Sequence, residues 1–270
     1  MMKIGFIGGG NMASAMIGGL IRQGFAIADI TVAEPDAARR AQLFKDFAVK
    51  AEESASTVLA ADVLVLAVKP QVLHKVLVSV PPLAPTTCVL SVAAGVRAAD
   101  ISRWLGGHAA VVRAMPNTPA LVGAGIAGLF ALPGASAAQK ARAEQVLKAV
   151  GQIVWVSREA DIDAVTAISG SGPAYVFYFI EALEAAALKL GLSAETARAL
   201  SMHTVYGAAA LALQETVDPA TLRARVTSKG GTTERGIAAL ADNRFDQAVI
   251  LAAEAAAARA RELGDLLGAE

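Results

Sequence analysis

Three small residues near the start of the chain, Gly8, Gly10 and Ala13, are spaced as G-x-G-x-x-A directly after the apolar run Lys3 to Ile7. Residues of this kind at this spacing are suited to holding a phosphate. Gly8 permits a tight turn out of a strand. Gly10 clears the place where a pyrophosphate approaches the backbone, and Ala13 lets the next helix pack closely. The unpaired N–H groups of that helix's first turn then face the anion with the helix dipole behind them, so no basic side chain is required. In a chain with 24 glycines the spacing is weak by itself, and the preceding strand gives it weight.

Glu34 closes the short apolar run Ile30 to Ala33. It stands about twenty residues past the glycines, where a carboxylate accepts the ribose hydroxyls of NAD and repels the 2′-phosphate of NADP. Arg39 and Arg40 follow closely and offer the opposite chemistry, a guanidinium for that phosphate. The plain alternative is a solvated helix, Pro35 to Asp46, with its arginines facing water. The choice between NADH and NADPH stays open on these residues.

A second polar stretch, Thr227-Ser228-Lys229-Gly230-Gly231-Thr232-Thr233, lies far along the chain. Two glycines followed by hydroxyls at a helix start form a nest of N–H donors able to hold a carboxylate, with Ser228 and Thr232 adding hydrogen bonds and Thr233 facing a reacting centre. The same residues also read as an ordinary helix start in which Thr232 or Thr233 is the capping hydroxyl, the reading this segment alone favours. The single cysteine, Cys88, sits in an apolar run and reads as a buried structural thiol. The three histidines, His74, His108 and His203, share no motif, so no metal is assigned.

Length and composition bound what positions these residues. A chain of 270 residues can bury a large core and divides comfortably into two domains. Its 24 basic and 24 acidic residues leave no electrostatic footprint for nucleic acid or an anionic membrane. Mean hydropathy is +0.50, yet every long apolar run is broken before it could span a bilayer. The N-terminus lacks the pattern of a secretion signal, so a cytoplasmic protein acting on a small molecule is expected.

Taken in order, helical spacing over Asn11 to Gly24 follows the glycine turn. Strand-like runs then recur at Asp62 to Val68, Val89 to Ala94, Val111 to Ala114, Ile126 to Leu129 and Ile153 to Val156, with a helix at Ala137 to Val150. This rhythm predicts a Rossmann-like parallel sheet with helices on both faces. Ligands in such sheets lie beyond the carboxyl ends of the strands, where Lys69, Gly95 and Asn117 fall. From about Ser157 the strand-like runs stop and the spacing becomes helical. The helices are Ala174 to Leu190, Ser193 to Glu215, Pro219 to Val226, Thr233 to Ala241 and Arg244 to Leu263. The division predicted is a dinucleotide-binding domain, 1–158, and an all-helical domain, 159–270. The Ala-rich last helix suits either an internal core or a dimer seam.

Six blocks, GFIGGGNMASAMIGG, LAVKPQ, SVAAGV, RAMPNTPALVGAG, AISGSGPAYVF and VTSKGGTTERGI, occur in this order along the chain. Together they resemble pyrroline-5-carboxylate reductase, the last enzyme of proline biosynthesis. The resemblance implies an NADPH- or NADH-dependent reduction of the cyclic imine pyrroline-5-carboxylate. It also implies a helical dimerisation domain whose helices interleave with a partner's in a homodimer or a larger ring of dimers, and an active site between domains. By residue, it implies that Gly8, Gly10, Asn11 and Met12 contact the pyrophosphate. Ala67, Val68, Lys69 and Pro70, with Ala93, Ala94 and Gly95, border the dinucleotide, and Asn117 lies near the nicotinamide. Ser228, Gly230, Gly231, Thr232 and Thr233 hold the substrate, with Thr233 the partner of the imine nitrogen.

Two positions depart from the family pattern. Lys229 replaces a proline common in the family, and Glu34 replaces a small polar residue near the 2′-phosphate, which predicts tolerance of NADH. Two other readings share the glycine fingerprint: another Rossmann imine or hydroxy-acid reductase, and a non-catalytic dinucleotide sensor.

Overall fold

The computed structural model describes residues 2–269. An eight-stranded sheet has the order β3-β2-β1-β4-β5-β6-β7-β8. Its strands are β1 (Ile4–Ile7), β2 (Ile30–Ala33), β3 (Lys50–Glu52), β4 (Val63–Leu66), β5 (Cys88–Ser91), β6 (Val111–Met115), β7 (Gly125–Ala131) and β8 (Gly151–Trp155). Helices α1 (Asn11–Arg22), α2 (Ala37–Phe47), α3 (Pro70–Leu77), α4 (Ala98–Trp104) and α5 (Ala137–Lys148) connect them.

The central strands read as unbroken apolar runs because helices cover both faces. In β4, Val63 and Val65 enter the core on one face and Leu64 and Leu66 the core on the other. Cys88 and Leu90 of β5 join the first core and Val89 the second. Burial pushes the Cys88 thiol up to about 12, against a smaller opposing pull from Arg142, so at neutral pH it is protonated and inert.

Two features of the sheet depart from the expectation. β7 runs antiparallel to β6, whereas the rhythm of strands suggested a wholly parallel sheet. Only a short 3-10 turn, Thr118–Val122, closed by left-handed Gly123, separates the two, too little chain for a crossover helix. The three residues of β3, Lys50, Ala51 and Glu52, are too few and too polar to give an apolar run, and they pair in parallel with β2 at the sheet edge.

The chain continues through α6 (Asp161–Val165), one π turn at Thr166–Gly170, and the helices α7 (Gly172–Lys189), α8 (Ala194–Gln214), α9 (Pro219–Arg225), α10 (Thr232–Asp242) and α11 (Phe245–Gly268). Its contacts form two compact units. One is the sheet unit up to Ser171 together with the end of α11 from Ala255 onward; the other is Gly172–Glu254. Within the second unit α7 packs on α8, and the rings of Phe179 and Phe245 meet at 6.1 Å. This unit buries little: no residue of α7 is buried, and Phe177, Tyr178, Leu190, Tyr206 and Leu213 are exposed. Among the described residues no helix is long and apolar enough to cross a membrane.

Close packing in the first unit leaves no room for a side chain at Gly19 of α1, where a Cβ would collide with the carbonyl oxygen of Ala149. Glycine to alanine in an exposed helix interior stabilises by about 1 kcal/mol. Here Gly19→Ala is expected instead to destabilise by about 2 kcal/mol through overpacking, read by urea denaturation. A variant as stable as the parent would contradict that packing.

Candidate active site

The strand order reverses direction between β1 and β4, and in open α/β sheets the crevice at that point takes the ligand. The glycine turn lies there. Gly8 is left-handed, at φ +95°, and donates its N–H to the carbonyl of Ala33 at 2.8 Å. A Cβ on Gly8 would stand 2.7 Å from the Ala67 oxygen and 2.9 Å from Val68, so the loop leaving β1 lies against the end of β4. A Cβ on Gly10 would meet nothing within 4 Å. Gly10 is the N-cap of α1, no side chain caps that helix, and Ala13 is fully buried behind it. Open space in front of an uncapped helix start is what a pyrophosphate requires.

The residue between the two glycines is clamped from both sides. The Glu34 carboxylate accepts the Gly9 N–H at 2.8 Å, and its other oxygen accepts the Asp36 N–H at 3.0 Å. Arg39 donates from Nε to the Gly9 carbonyl at 2.6 Å, and from its guanidinium to Asn11 Oδ1 and Ser14 Oγ, each at 3.2 Å. Arg40 donates to the carbonyls of Glu34 and Pro35, both at 2.8 Å. The solvated-arginine alternative is therefore overturned: both guanidiniums are tied into backbone. With the Gly9 N–H and C=O occupied, the first-turn N–H groups of α1 are the donors left for an anion. Nothing in the sequence marks Arg39 for this except its place on the helix after β2.

The other cofactor candidates lie at the carboxyl ends of neighbouring strands. Ala67 and Val68 are partly buried, and Ala67 donates to the carbonyl of Ile7 at 2.8 Å. Lys69 is the exposed N-cap of α3, and Pro70 occupies its first turn, where a missing N–H costs nothing. Ala93 is buried and Ala94 exposed, while Gly95 is buried and left-handed at φ +75°. Asn117 is buried too, and its side-chain oxygen accepts the Ile126 N–H at 3.0 Å, bracing the start of β7. Met12 is partly buried, packed against the core. Gly170 of the π turn has Met115 against it, where a Cβ would stand 2.7 Å from the methionine methyl.

The second polar stretch lies entirely in the other compact unit. Gly230 is left-handed at φ +74°, Gly231 donates to the Ser228 carbonyl at 3.0 Å, and a Cβ on Gly231 would stand 2.5 Å from Ser228 Oγ. Gly231 itself is the N-cap of α10, without a side-chain cap. The capping-hydroxyl reading is thus overturned: Thr232 and Thr233 are the first residues inside the helix, with exposed side chains. One carboxylate already uses the turn, because Glu234 reaches back to accept the Gly230 N–H at 2.8 Å. Sequence reasoning passed over Glu234, although an acidic residue in a helix's first turn is the available signal.

Buried charge in the sheet unit centres on Arg113, 4 % exposed, which pairs with Glu159 at 3.2 Å and Asp163 at 3.8 Å. Glu159 also accepts the Ala98 N–H at the start of α4. Among the described residues no group of three His, Cys, Asp or Glu is placed to hold a metal ion.

A family model described as pyrroline-5-carboxylate reductase dimerisation matches residues 159–263, and one described as NADP oxidoreductase coenzyme F420-dependent matches residues 3–95. The pyrroline-5-carboxylate reductase of Pseudomonas aeruginosa is 48% identical over 268 residues, covering 98% of both chains. The chain belongs to the pyrroline-5-carboxylate reductase family. The reductase structure from Coxiella burnetii superposes with a TM-score of 0.92 at 42% identity, covering 97% of this chain and 98% of that one. The Plasmodium falciparum reductase, solved with NADP bound, does so with a TM-score of 0.85 at 29% identity and the same coverage. Family membership thus extends over both the glycine turn and the SKGGTT turn, as the six sequence blocks implied.

The two fingerprint glycines of this family member separate by experiment. Gly10→Ala has room for its methyl group and is expected to fold with the parent's thermal midpoint while losing about tenfold in dinucleotide affinity, because the methyl fills the phosphate's place. Gly8→Ala, strained at positive φ, is expected to lose stability as well. Titration of nicotinamide fluorescence beside thermal melts checks both, and an unweakened Gly10→Ala would remove the pyrophosphate from this turn.

Proposed function

We infer that the protein reduces pyrroline-5-carboxylate to L-proline, with NADPH or NADH as the reductant. The observation that carries the reading is the pairing, in one family member, of an uncapped glycine turn on a Rossmann sheet with a second glycine turn that already accepts a carboxylate. Imine reduction needs an oriented reductant, an anchored substrate carboxylate and a hydrogen-bond partner at nitrogen. Bound nicotinamide supplies the hydride. Residues 1–158 are assigned to the dinucleotide and 159–270 to substrate and dimerisation, a division supported by the family model that begins at residue 159.

Each group has a role in this reading. Gly8, Gly10, Asn11 and Met12 hold the pyrophosphate, while Ala67 to Pro70, Ala93 to Gly95 and Asn117 border the dinucleotide. Ser228, Gly230, Gly231 and Thr232 hold the substrate carboxylate, in competition with Glu234 for the Gly230 N–H. Thr233 orients the imine nitrogen without acting as a strong acid, since the imine can take its proton from water. Glu34 discriminates against the 2′-phosphate by charge.

The exposed apolar side chains of the second unit support a homodimer or a ring of dimers, because a helical layer this poorly buried needs a second copy to cover it. Dependence on reduced nicotinamide nucleotides is consistent with a cytoplasmic enzyme.

Purified protein mixed with pyrroline-5-carboxylate and NADPH or NADH is expected to consume nicotinamide absorbance. A dinucleotide sensor would bind without turnover, and no turnover with either cofactor would defeat the reading. Thr233→Ala is expected to lower kcat/KM about tenfold or more at unchanged cofactor affinity, and an unchanged rate would remove Thr233 from the site. Glu34→Ser is expected to shift the kcat/KM ratio about tenfold toward NADPH. Preference that does not move on this substitution would show that Glu34 serves only to clamp Gly9.

A further inference from the structure

We propose that the end of α11 is a strap that sets the turn after β5, with Leu263, Leu267 and the Arg97–Asp265 pair as positioning elements for the cofactor. The inference rests on the reading that Ala93 to Gly95 border the dinucleotide. That turn leaves β5 through left-handed Gly95. A Gly95 Cβ would stand 3.2 Å from the Leu263 Cβ and 3.4 Å from Leu267, so the two leucines pack directly against the turn. Leu267 also packs into the core that α4 shares with β4 and β5.

Polar contacts fix the same helix end along the whole of α4. Arg97, the N-cap of α4, donates to Asp265, and Arg103, in its last turn, donates to the Gly268 carbonyl at 2.8 Å. Glycines on the facing side of α11 let these side chains lie close to it. A Cβ at Gly264 would stand 3.3 Å from the Arg97 guanidinium, and one at Gly268 2.5 Å from the Asp100 carboxylate. Every one of these contacts lies in the sheet unit. In this reading the residues act on the cofactor through the turn.

Weights differ among the contacts. Arg97 and Asp265 are 41 % and 71 % exposed, and water screens a pair of that kind. The leucines carry most of the hold, and the ion pair sets the register. Substitutions should therefore act on one kinetic constant. Leu267→Asp is expected to raise KM for NADPH or NADH about tenfold, and Arg97→Glu about threefold, with kcat and KM for pyrroline-5-carboxylate within about twofold of the parent. The swap Arg97→Glu with Asp265→Arg should recover at least half of the Arg97→Glu loss.

The full-length variants are compared with the parent by steady-state kinetics, by nicotinamide fluorescence for cofactor affinity, and by circular dichroism for fold. A merely structural strap would lower the melting temperature and leave the cofactor KM unmoved. That result in Leu267→Asp, or a swap without recovery, overturns the proposal. Should Leu267→Asp fail to fold, the charge-swap series decides by the same criterion. A parent that binds cofactor without turnover would sink the reductase reading alone, because the fluorescence titration still reads the strap.

Discussion

The sheet unit depends on one close approach of backbone to backbone. Where β1 ends beside β4, Gly8 passes the Ala67 carbonyl at a distance no side chain tolerates, and that passage aims the following turn at the start of α1. Other residues then stabilise the geometry. Glu34 and Arg39 take the two polar groups of Gly9, and Ala13 seats α1 on the strand. Each of these holds backbone in place and leaves the start of α1 open, so the shape of the turn rests on main-chain geometry braced by side chains around it.

Much of this unit was legible in the sequence because its strands are buried on both faces. Val63 to Leu66 reads as one apolar run for that reason, and Gly8, Gly10 and Ala13 announce the turn by their size alone. Features that rest on direction or reach were not legible. The antiparallel path of β7 is set by the shortness of the Thr118–Val122 connection, and β3 is held by backbone pairing that the short run Lys50-Ala51-Glu52 does not advertise. The reach of long side chains was not legible for a related cause. Arg39 and Glu234 each contact backbone in a loop outside their own helix, and helical spacing describes a face but not the reach of a flexible tip.

At the candidate substrate turn the sequence offered two readings, a nest of N–H donors and a hydroxyl cap, and the structure removes the second. Thr232 and Thr233 resemble capping residues by type, yet left-handed Gly230 makes Gly231 the boundary and places both threonines inside α10. The helices around it are read more easily from what they leave exposed. In α7, which packs on α8 yet has no residue buried, Phe177 and Tyr178 remain exposed.

The return of α11 has a consequence for the order in which the protein is made. The sheet unit is discontinuous: its first 171 residues are complete long before Leu263 and Leu267, and the helices of the second unit must be synthesised in between. Chains fold from the amino end as they emerge. For most of translation, then, α4 and the turn at Gly95 lie bare of Leu263 and Leu267, and the first unit to form is closed only after the helices of the second have been made.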